Sequence, residues 1–215
     1  MPRRTVILFA AAVCGMALAL ALITVMVVGA RDRAGTAGAG AAGTSYVAAS
    51  EDQPRVGGPF TLTDQNGRPV TEAMLEGRWS LVFFGFTFCP DYCPTTLAML
   101  EATRRELGDQ GKDLQFVFIT VDPGRDGPAE MKAYLDSEGF PPGVVGLTGT
   151  PEQIAAAAKA YAVVYEKVGE GEAYTMNHSL AIWLMGPDGR SRASLNHQQG
   201  PEAAARMIRT VRARG

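Results

Sequence analysis

Hydrophobic and polar positions change character twice along this 215-residue chain, dividing it into three parts. Thr5 to Ala30 carries no charged residue, with Arg3 and Arg4 before it and Arg31 after it. A bilayer core takes about 20 apolar residues in a helix, and the apolar stretch of a cleaved signal peptide runs to about 7–15. The pattern therefore predicts one uncleaved transmembrane helix within residues 1–33, with Cys14 a small apolar residue facing lipid. Residues 34–56 are mostly Ala, Gly, Thr and Ser with little to bury, which predicts a flexible linker spanning roughly 25 Å. Apolar runs of mixed period occupy residues 57–215, enough chain for one domain with its own core.

Within that domain, Phe60–Thr63 and Arg68–Val70 flank Asn66-Gly67 and predict a short hairpin. Ser80–Phe88 (SLVFFGFTF) is almost unbroken in its apolarity and predicts a central strand buried on both faces. Pro94–Leu107 has helical spacing, with Leu97, Ala98, Leu100 and Leu107 inward and Glu101, Arg104 and Arg105 outward. Leu114–Val121 predicts a second buried strand. Pro128–Glu138 and Pro151–Tyr161 predict helices opened by proline, and Val163–Val168 a strand. Ser179–Met185 and Ser191–Leu195 flank Gly186-Pro-Asp-Gly189 as a hairpin, and Pro201–Arg214 predicts a closing helix. Strands alternating with helices, then an antiparallel hairpin and a helix, predict an α/β sandwich with a mixed central sheet flanked by helices.

Composition changes this picture little. The net charge of −2, with no strong charge block, points away from nucleic acid. Basic residues flank the apolar run on both sides; with the free amino terminus added, they favour the N-terminus inside and the domain outside.

The chemistry lies in Cys89-Pro-Asp-Tyr-Cys93-Pro94, between the predicted strand and the predicted helix. The N–H groups of a helix start stabilise thiolate over thiol, so one cysteine is expected below the ~8.5 of a free thiol. The C-x3-C spacing is one residue longer than the redox C-x2-C of thioredoxins. Two thiolates suit Cu(I), Zn(II) or an iron–sulfur cluster, but a cluster normally takes four cysteines and structural zinc a fourth ligand that is not found. Of two histidines, His178 lies just before the predicted strand Ser179–Met185 and is the candidate third donor. A Cys2His set suits one Cu(I), and a further donor would let it hold Cu(II). Structural readings stay open beside these: a disulfide for the cysteines, a buried core residue for His178. His197 reads as a solvated loop residue, Met176 as core or a weak copper donor, and Asp122 as either the cap of the Pro123 turn or a site residue. Trp79 and Trp183 read as packing.

Three segments in order, Phe84-Gly-Phe-Thr-Phe-Cys-Pro-Asp-Tyr-Cys-Pro-Thr-Thr96, Ile119-Thr-Val-Asp-Pro-Gly-Arg-Asp126 and Asn177-His-Ser179, resemble the Sco/SenC family over roughly residues 50 to 213. The resemblance implies a thioredoxin-like fold and a copper chaperone that helps load the dinuclear copper centre of cytochrome c oxidase. It implies copper ligation by Cys89, Cys93 and His178, with the Asp122–Asp126 loop lining the same face. The implied partners are the copper-accepting subunit of the oxidase and other periplasmic copper carriers or thiol reductants. The implied location is the cytoplasmic (inner) membrane, single-pass through residues 5–30, with the domain in the periplasm. Where the family commonly has Asp before the ligand histidine, this chain has Asn177, which puts a supporting carboxylate there in doubt. The competing function is an enzyme, a periplasmic thiol–disulfide oxidoreductase in which Cys89 and Cys93 are the redox-active pair and reduce partner cysteines before metallation. His178 separates the two, because a dithiol reductase does not need it.

Overall fold

The computed structural model describes residues 56–214; the expected membrane helix and most of the expected linker lie outside them. Seven strands form one mixed sheet in the order β2-β1-β5-β4-β3-β8-β9. At its centre, β3 (Ser80–Gly85) pairs in parallel with β4 (Gln115–Thr120) and antiparallel with β8 (Ile182–Met185). On one side β4 pairs in parallel with β5 (Val145–Thr148), and β5 antiparallel with β1 (Thr61–Asp64). The β1–β2 (Pro69–Thr71) hairpin closes that edge, and β8–β9 (Ser191–Leu195) closes the other. Every residue of β3 is buried, as its unbroken apolar run requires of a strand covered on both faces.

The helices are α1 (Tyr92–Leu107), the short α2 (Asp109–Lys112), α3 (Pro128–Leu135), α4 (Pro151–Ala160) and α5 (Pro201–Arg212). Prolines open α3, α4 and α5, and Thr150 with Gln153 forms a capping box at α4. α1 packs on the sheet and also on α5, whose Arg209 donates to the Glu106 carbonyl, while Arg212 of α5 donates to the Gln110 carbonyl of α2 at 2.7 Å. α1 is buried over more of its surface than one apolar stripe predicts. Glu101, expected outward, is buried and holds Arg104 and Arg105, each at 2.7 Å. Ala98, expected inward, is exposed. Leu97 and Leu100 are fully buried with Leu81, Val82, Val117 and Ile119 in the core.

Three strand expectations differ from the structure. The strand expected over Ser80–Phe88 ends at Gly85. β5 was not anticipated: it has four residues, one of them Gly146, and follows Pro141-Pro142-Gly143. The strand expected over Ser179–Met185 begins only at Ile182; Ser179–Ala181 belong to no strand and link it to a separate two-stranded sheet that ends at His178. That sheet pairs β6 (Tyr165–Val168) with β7 (Thr175–His178) and has no ladder to the main one.

Candidate metal centre

β3 delivers the first half of the site. Beyond Gly85 the chain turns, and the Cys89 N–H donates to the Phe86 carbonyl at 3.2 Å. α1 starts at Tyr92, two residues before the expected Pro94. Cys93 therefore lies in its first turn and Cys89 just ahead of it, both buried and both free thiols. Gly85 makes this packing possible: a Cβ there would lie 2.7 Å from Cys93 Sγ and 2.6 Å from Phe118 Cε2. The loop is tied down by Asp126, which is fully buried. Its carboxylate accepts from the Thr87 N–H at 2.9 Å, Thr87 Oγ1 at 2.6 Å and Thr120 Oγ1 at 2.6 Å. Burial, against those three donors, pushes its pKa up.

The β6–β7 hairpin delivers the second half. His178 ends β7, with Met176 on the same face two residues back. His178 Nε2 stands 3.9 Å from Cys93 Sγ, and Nδ1 lies 2.9 Å from the Ser179 carbonyl. A carbonyl only accepts, so Nδ1–H donates to Ser179 and Nε2 is the ring nitrogen that faces the sulfur. The ring also meets Phe86 edge-on, with centroids 6.0 Å apart. The hairpin base is fastened where Ser179 N–H donates to the Val164 carbonyl at 2.9 Å and Val164 N–H to Ser179 Oγ at 3.0 Å.

The two cysteines are electrostatically unequal. Cys89 is pushed down to about 3, first by hydrogen bonding from the Cys93 thiol and, more weakly, by His178 and the backbone N–H groups of Cys93 and Asp91, against the opposing effect of burial. The Cys93 N–H reaches Cys89 Sγ at 3.4 Å. Cys93 is pushed far up by its bond to Cys89, by burial and by the adjacent thiolate. A depressed cysteine at the helix start agrees with the sequence, but the other thiol, not the helix terminus, is the larger cause.

This donor set fits a soft metal ion. Sulfur and nitrogen sharing one ion at about 2.3 and 2.0 Å, 120° apart, are separated by about 3.7 Å, close to the 3.9 Å between Cys93 and His178. A small cleft bordered by Tyr92, Cys93, His178 and Leu180 lies beside the Cys93–His178 pair. Among the described residues, no three His, Cys, Asp or Glu side chains are already drawn into a complete metal cage.

Asp122 does not join these donors. It is buried against Arg125 at 2.5 Å and accepts from the Tyr174 hydroxyl at 2.7 Å. Strand alternation turns Asn177 to the exposed face opposite His178, so the missing carboxylate is directed away from the sulfurs. His197, expected to be solvated, packs edge-on against Tyr92, centroids 5.3 Å apart. Thr87, Arg125 and Tyr174 escaped the sequence reading as site residues. Thr87 and Arg125 stood in segments already singled out, but no local pattern reveals their partners.

The sequence matches the SCO1/SenC family over residues 48–213. It is 38% identical over 158 residues to "Protein SCO2, mitochondrial" of Saccharomyces cerevisiae, covering 72% of this chain and 52% of that protein. The chain spans about half the length of the curated relatives it matches. Among solved structures it is similar to Bradyrhizobium japonicum ScoI with copper bound, at 44% identity and a TM-score of 0.66, covering 73% of this chain and 99% of that one. It is also similar to BsSco, described as having a disulfide switch and as a member of the Sco family of cytochrome c oxidase assembly proteins. That match has 25% identity and a TM-score of 0.59, covering 76% of this chain and 95% of that one.

Proposed function

The chain belongs to the SCO1/SenC family, and from that premise we propose that it is a copper chaperone for cytochrome c oxidase assembly. One copper ion is its cargo, held by Cys89, Cys93 and His178 and passed to the copper-accepting subunit of the oxidase. The observation that carries this reading is the His178 ring: with Nδ1 committed to the Ser179 carbonyl, its free nitrogen faces Cys93. Two sulfurs favour Cu(I), and the imidazole adds a donor that also serves Cu(II). The copper bound to the B. japonicum relative supports it. Residues 5–30 anchor the protein in the inner membrane by a single span, and residues 34–56 tether the domain on the periplasmic side; the uncharged run and its small-residue sequel support this.

The inequality of the two thiols favours a second reading on the same pair. As an oxidoreductase, Cys89 would attack a partner disulfide, and Cys93 would then release the partner as a dithiol and leave a Cys89–Cys93 disulfide. Metal analysis of the reduced, anaerobic protein, with Cu(I) and Zn(II) in competition, separates the readings. The chaperone retains one Cu(I) per chain against excess Zn(II). Retention of zinc, or of no metal, would leave the oxidoreductase.

A further inference from the structure

His178 sits on a hairpin that has no ladder to the main sheet, and an isolated two-stranded hairpin is marginal in water. Its base is fastened at Ser179 and Val164, close to the histidine. Its far end needs another tie, and the loop after β4 supplies it. Arg125 Nη1 donates to the Tyr174 carbonyl at 3.0 Å, and the Tyr174 hydroxyl donates to Asp122 Oδ1 at 2.7 Å. Asp122 Oδ2 holds Arg125 Nε at 2.5 Å, which closes the ring of contacts. The Tyr174 ring is flanked by two cations, Arg125 Cζ at 3.6 Å and Lys167 Nζ, from β6, at 3.8 Å from its centroid. Arg125 also lies over Phe88, the residue before Cys89, 4.7 Å from that ring's centroid. Its buried Nη2 has no hydrogen-bond partner. One side chain thus touches both the cysteine loop and the hairpin that bears His178.

We propose that Arg125, Asp122 and Tyr174 form a latch that sets the position of His178 over the cysteine pair. They are positioning residues: none supplies a donor atom to the ion. The inference rests on the reading of His178 as a copper ligand and adds what holds that ligand in place. A partner that supports a metal ligand without touching the metal typically changes affinity by roughly 10–100-fold when removed. The latch should therefore act on the nitrogen-dependent Cu(II) state and leave Cu(I), held by two sulfurs, in place.

The test uses Tyr174→Leu, with Tyr174→Phe and Arg125→Lys beside it. Tyr174 is only half-buried, so the core does not depend on it. Amide hydrogen exchange is first measured on the metal-free protein. In Tyr174→Leu the amides of β6 and β7 should exchange about tenfold faster or more, while those of β3 and β4 keep their protection. Tyr174→Phe, which keeps the ring between the cations, should fall between Tyr174→Leu and the parent. Cu(II) release from the loaded protein should then speed up by roughly tenfold in Tyr174→Leu and Arg125→Lys, with one Cu(I) still retained. Exchange in β6–β7 unchanged in both Tyr174→Leu and Arg125→Lys would overturn the latch. Faster exchange with unchanged Cu(II) release would overturn its role in positioning His178. A parent protein that takes up no copper would sink the copper reading instead, and the metal-free exchange would still decide the latch.

Discussion

β3, which leads to the cysteines, is buried at every residue and bonded to a strand on each side. β6 and β7, which lead to His178, form a ladder only with each other among the described residues, and five of their eight residues are exposed. Both regions end at one cleft. The sulfurs stand on a part of the molecule whose opening approaches global unfolding, the nitrogen on a part that opens at much lower cost. On the proposed reading, a carrier that must hold an ion and then release it would gain from this division: two donors on the fixed part, and a third on a part that can withdraw without disturbing the core.

The largest effect should come from loosening the fixed half. Asp126→Ala removes the acceptor of three buried or partly buried donors, on Thr87 and Thr120. The expected loss is about 3 kcal/mol of global stability, read from denaturant unfolding of the metal-free protein. Tyr174→Leu, on the other half, should cost less than about 1 kcal/mol in the same assay. Equal losses would erase the distinction between the halves.

A further prediction concerns the inequality of the thiols. Cys89 is depressed from its usual 9.0 to about 3. Between those values the unfolded chain binds a proton that the folded one does not. Stability from this group therefore rises with pH across the window, and is lost as pH falls through the folded value. Site-resolved alkylation is the check. Cys89 should react at a nearly constant rate from about pH 8 down to about pH 5, while Cys93 stays unreactive. A step in Cys89 reactivity near the ~8.5 of a free thiol would contradict the assignment.

The same two halves differ in how far they can be read from sequence. β3 and α1 stand out because burial on both faces leaves an unbroken apolar run and burial on one leaves a helical stripe. Even there, one stripe could not show that Glu101 is buried while holding two arginines. β7 left almost no pattern: Met176 is its one buried side chain, and Asn177 and Thr175 face outward. His178 was found through its motif, and its strand was misplaced by three residues of chain, Ser179 to Ala181, that belong to neither sheet. The latch was invisible because Tyr174 and Asp122 lie 52 residues apart, and nothing local marks a pair that only the fold brings together.

The most direct measurement of the central claim is pulsed electron-spin resonance on the Cu(II)-loaded protein. Coordinated imidazole gives a modulation from its remote nitrogen, and the chain has only two histidines. The parent protein and His197→Ala should both show that modulation, and His178→Ala should lose it while still binding one Cu(I) through Cys89 and Cys93. Persistence of the modulation in His178→Ala would show that the nitrogen on the hairpin is not the ligand.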